Sequence, residues 1–217
     1  MEQTGHVAGW VDQLDDMAVH VTDAMLRAGA GVQAPTVHVL VDDLDPAYVG
    51  KLGCRPMLRG RDAHAAIAVM GLFGSMLGAS RLVVTYEHAD MARAWEDPAA
   101  DTAPTGVVVV DAARDPAQDG HTIRWHPALF TEGPDAADDG PAVLAHWGPP
   151  AQYRAGRLPS AVARLLSIWR EPRSWDEREF LRVLAGWEQG GYSLRWVQRP
   201  DGEQRQPGWM RLLAPIM

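Results

Sequence analysis

The chain has 217 residues, 47% of them hydrophobic, and a formal charge of −8 at neutral pH. That apolar share can build a sizeable core and excludes wholesale disorder, and the acidic balance argues against a chain devoted to nucleic acid. The single cysteine, Cys54, excludes both an intrachain disulfide and a cysteine-based zinc site.

The charge is unevenly spread. Residues 1–150 hold 21 acids against 9 Lys/Arg, and residues 151–217 hold 7 acids against 11 Arg, giving net charges of −12 and +4. Two regions of opposite sign either attract each other or present different faces to partners. Met1–His6 lacks the basic and apolar regions of a secretory leader, so a reducing, cytoplasmic location is expected. One lysine, Lys51, against 19 Arg is the usage of a high-GC bacterial genome.

In chain order, residues 7–28 read as an amphipathic helix. Val7, Trp10, Val11, Leu14, Ala18, Val21 and Met25 recur at three- and four-residue steps, with Gly29 and Gly31 at its end. Thr36–Val41 is short and β-branched and reads as a strand, closed by the turn chemistry of Asp42–Pro46. The 47–60 segment has room for another short strand. Residues 63–78 read as a buried helix capped by Asp62, in which Gly71, Gly74 and Gly78 admit a neighbouring backbone. Ala63–Ser80 carries no Lys, Arg, Asp or Glu, but its Ala and Gly content, with His64 and Ser75, favours a core helix over a membrane span.

Three strands are expected next, at Arg81–Tyr86, 106–110 and His121–His126, with a short helix at Ala89–Trp95. Asp97–Thr105 and Thr131–Pro141 read as mobile loops, and 142–147 as one more strand. Gly148-Pro149-Pro150 marks the expected domain boundary, with a linker over 148–157. Beyond it, a helix from Pro159-Ser160 to about Arg170 and a second from Ser174 to Gly190, with Glu177 completing a capping box, precede two strands at Tyr192–Gln198 and Trp209–Leu213. The sequence therefore predicts an α/β or α+β protein. An acidic domain over 1–147 holds a central mixed sheet and a buried glycine-containing helix, and a basic helix-helix-hairpin appendage covers 158–217.

Two sets of residues carry candidate chemistry. Asp42, Glu87 and Asp111 each end or follow a strand. If those strands ran parallel, the three carboxylates would share one sheet edge and would suit Mg²⁺ or Mn²⁺, with His88 or Asp90 assisting. Acids after strands are equally at home as turn formers and helix caps. The second set is Trp169, Trp175, Arg178, Arg182, Trp196 and Arg199 in the C-terminal region, residue types that concentrate binding energy at interfaces and also contact phosphates and bases. The alternative role for these tryptophans is a small core, with the arginines paired to neighbouring acids.

The remaining motifs are negative. His121 and His126, five apart on one strand, face opposite ways. Ser75 sits inside a helix, unlike a nucleophile elbow, and no nucleotide-binding glycine pattern is present. The sequence thus favours a non-enzymatic interaction protein that contacts a protein partner through its Trp/Arg-rich C-terminal region and needs no cofactor. A divalent-metal hydrolase and a nucleic-acid-binding accessory factor are the alternatives. No membrane partner is expected, and homo-oligomer formation is compatible with the pattern.

Overall fold

The computed structural model describes residues 3–58, 60–88, 91, 106–115, 120–136 and 140–197. The protein is mixed α/β, with an eight-stranded sheet at its centre. The strands are β1 Thr36–Leu40, β2 Tyr48–Gly53, β3 Arg81–Glu87, β4 Gly106–Ala113, β5 His121–Ala136, β6 Gly140–Trp147, β7 Ala151–Arg154 and β8 Ser193–Trp196. They lie in the order β6-β5-β4-β3-β1-β2-β8, with β7 also beside β5. Every one of these pairings is antiparallel, so the sheet is not the mixed one expected.

Alternation along the strands sends side chains to two separately covered faces. On one face Val37, Val39, Leu52, Leu82, Val84 and Val110 form the main core. Helices α2 (Arg61–Ala68), α3 (Gly71–Met76), α4 (Ser160–Arg170) and α5 (Glu177–Gln189) contribute to it Ile67, Phe73, Leu165, Trp169, Phe180 and Trp187. On the other face Leu40, Val83, Val107 and Val109 meet Val11, Leu14 and Ala18 of helix α1 (Gln3–Arg27). Charges also hold α1 down. Asp15 accepts from His126 at 2.9 Å, and Arg124 donates to Asp12 at 2.8 Å.

Of the glycines of the expected 63–78 helix, Gly71 admits a neighbouring backbone as the sequence suggested, and Gly74 instead makes room for the Leu82 and Trp169 side chains. The helix breaks at Val69–Met70 into α2 and α3, and α4 lies across both. A Cβ on Gly71 would stand 2.2 Å from the Leu165 carbonyl oxygen, and one on Gly74 2.9 Å from the Trp169 ring. Gly78 faces open space and instead supplies a left-handed turn at φ 61°. No helix among the described residues is long and apolar enough to cross a membrane.

Several expected boundaries move. Asp62 is not a cap but sits in the first turn of α2, reaching back to the Leu58 N–H at 2.7 Å and to the Arg55 guanidinium. The cap of α5 is Asp176, which accepts from the Glu179 N–H at 2.7 Å, so Ser174 lies outside the helix and Glu177 is its first residue rather than the partner in a capping box. The expected loop at Thr131–Pro141 is largely strand. β5 continues past the end of β4 and pairs there with β6 alone. The expected linker 148–157 contains β7, which pairs with β5.

The expected appendage has no separate core over its described part, 158–197. β8 extends the main sheet by pairing with β2, and Trp169 donates its indole N–H to the Ala79 carbonyl at 3.3 Å. The expected helix at Ala89–Trp95, apart from Met91, and the expected strand at Trp209–Leu213 lie outside the described residues.

Candidate binding site

The antiparallel topology separates the three metal candidates. Leu40 stands opposite Arg81, and Arg81 opposite Ala113, so Asp42 and Asp111 belong to the end of the sheet where β3 begins. Glu87 ends β3 at the opposite end, opposite Val107, and lies four residues, about 13 Å at the usual rise per strand residue, along β3 from the position that faces Asp111. Asp111 takes both its oxygens to Arg81 Nη1 at 2.8 Å, and Glu87 is buried and accepts from the Gly106 N–H at 3.2 Å. Among the described residues no group of three His, Cys, Asp or Glu is placed to hold a metal ion. Asp90 lies outside them.

The aromatic members of the C-terminal set are mostly core. Trp169 is fully buried. Trp175 is half-buried and donates to Ser75 Oγ at 3.2 Å, and Trp196 is half-buried, its ring 5.4 Å from that of Phe73. Arg178 is exposed, and Arg182 is exposed with Glu179 at 3.7 Å. Arg199 lies outside the described residues. Leu181, on the same helix, is 48% exposed. Cys54 is buried in the core, and that burial pushes its thiol up to about 11, so it is held as the unreactive thiol.

A site that the sequence did not reveal lies at the β2–β8 edge. Helix α1 packs over β3 to β6, and only its margin overhangs β2. There Trp10 stacks on Tyr48 with ring centroids 5.3 Å apart. A groove of about 360 Å³ opens beside the stack, lined in part by Met17, Lys51 and Arg195. Lys51 and Arg195 are direct cross-strand partners, and neither forms an ion pair among the described residues. Among the described residues the Arg195 guanidinium has only its neighbour's carbonyl, that of Leu194, at 3.4 Å.

Like charges opposed across strands destabilise a sheet, so this pair works against the fold unless an anion joins it. The next side chain in the row gives no relief. His38 stands opposite Lys51, and burial first, then the Lys51 charge, lower its imidazole to about 3, which leaves it neutral. Its Nδ1 lies 3.0 Å from the Tyr48 hydroxyl and fixes that ring under Trp10. The arrangement joins two cations to a rigid aromatic platform on a protein of charge −8. No family model, curated protein or solved structure matches the chain.

Proposed function

We propose that the protein is a non-enzymatic binding protein that docks an acidic, extended segment of a partner protein along the β2–β8 edge. The observation that carries this reading is the Lys51–Arg195 pair, two cations in direct register with no carboxylate between them among the described residues. Supporting it, β8 pairs with β2 on one side only, among the described residues, and an extended peptide can add to such an edge. The Trp10–Tyr48 stack offers apolar contact for alternate side chains of that segment. The chain's own following residues, 198–217, carry three Arg against two acids and so do not complement the pair.

A fluorescein-labelled peptide of alternating Glu and Val, titrated in anisotropy, tests the reading. Saturable binding that weakens with salt and is lost in the Lys51→Glu/Arg195→Glu double variant is the expected result. Equal binding by the double variant, or none by the wild type, overturns it. A single-stranded oligonucleotide bound more tightly than the peptide through the same two residues would favour a nucleic-acid-binding role instead.

A further inference from the structure

A second cavity, of about 380 Å³, opens on the opposite face of the sheet near the β5–β7 edge. Its floor is aromatic. Tyr86, Val108 and Trp125 are successive cross-strand partners on β3, β4 and β5, and Tyr153 of β7 stands opposite Ile123 beside them. Its wall is the segment after β7, which carries Arg157 and Leu158. That segment is built into place. Ala155 adopts a left-handed φ of 50°, and the His121 Nε2–H donates to the Gly156 carbonyl at 2.8 Å. A Cβ on Gly156 would stand 2.9 Å from the terminal methyl of Ile123, so the wall lies close upon the sheet.

Trp125 lines the cavity with part of its ring, while its indole nitrogen is closed off from solvent and has no acceptor among the described residues. Arg157, at the cavity's rim, is exposed and forms no ion pair among the described residues. Its planar fork suits a carboxylate, the aromatic floor suits a flat apolar body, and the volume falls in the range of small-molecule sites. We infer that this cavity binds a small aromatic carboxylic acid, with the carboxylate on Arg157 and the ring on Tyr86, Trp125 and Tyr153.

The inference is independent of the β2–β8 groove. The test uses 2-naphthoate as probe and the ¹⁵N–¹H spectrum of the full chain, in which the Trp125 indole signal is identified by its absence in Trp125→Phe. A saturable shift of that signal is expected, with affinity reduced about tenfold or more in Arg157→Gln, the scale of losing a hydrogen bond to a charged group. Arg157 is exposed, so this variant keeps the fold. The uncharged 2-naphthalenemethanol should bind correspondingly more weakly. An indole signal unmoved at millimolar probe, or unchanged affinity in Arg157→Gln, overturns the inference. Loss of naphthoate binding in Lys51→Glu/Arg195→Glu overturns it equally, since it would place the probe in the groove.

Discussion

His38 and Tyr48 share a hydrogen bond of 3.0 Å between adjacent strands, and the imidazole is 1% exposed. A histidine held neutral in this way makes stability depend on pH in a definite direction. Its value falls to about 3 in the folded chain, against about 6.5 when unfolded. Between those limits the unfolded chain binds the extra proton, so the contribution is complete above about pH 6.5 and drains away as pH falls toward 3. Urea unfolding at pH 7 and pH 5 should show the wild type losing about 2 kcal/mol more than His38→Gln on acidification. Equal losses would mean that His38 is protonated in the fold.

The closeness of α3 and α4 rests on Gly71. An alanine there places its Cβ 2.2 Å from the Leu165 carbonyl, a backbone atom that cannot turn aside. The helices must then separate, at a cost of about 1–3 kcal/mol. Gly78→Ala meets no atom within 4 Å and suffers only from its φ of 61°, about 1–2 kcal/mol. Denaturant midpoints of the two variants measure the two losses, and any relaxation that rescues Gly71→Ala must move α4, and with it Trp169. A Gly71→Ala variant as stable as the wild type would refute the close approach.

Trp169 anchors the core rather than a partner. Its ring is fully buried and its N–H is taken by the Ala79 carbonyl. Trp169→Ala should lose about 3–5 kcal/mol of stability, whereas Arg178→Ala and Arg182→Ala, on exposed positions, should stay within about 0.5 kcal/mol of wild type. Thermal denaturation of the three variants checks the contrast. A near-neutral Trp169→Ala would return that residue to the list of contact residues.

These outcomes bear on what a single sequence carries. Helix α1 and strands β1, β3 and β4 were legible because their periodicity is local: apolar steps of three and four in one, β-branched runs in the others. Gly71 was legible as a point of close backbone approach, though not which backbone, whereas Gly74 meets side chains instead. Strand direction was not legible for β1 and β3, and the proposed grouping of Asp42, Glu87 and Asp111 depended on it. Nor was the Lys51–Arg195 pair, since 144 positions of sequence separate residues that only the β2–β8 register brings together. The same register drew the C-terminal region into the main sheet, where its charge had suggested a separate unit.

The cationic pair also predicts a conflict between stability and binding. Lys51→Glu replaces a like-charge cross-strand pair by an opposite one and should raise stability by about 0.2–1 kcal/mol at low salt. Screening should shrink that gain as salt is added, because Arg195 is exposed to solvent. The same substitution should abolish docking of an acidic segment, so the natural lysine would be retained for binding at the expense of the fold. Thermal melting of wild type and Lys51→Glu at low and high salt measures the first half, and the anisotropy titration the second. A Lys51→Glu variant that is less stable than wild type at low salt would show that the lysine serves the sheet itself, and the argument from unrelieved repulsion would fall.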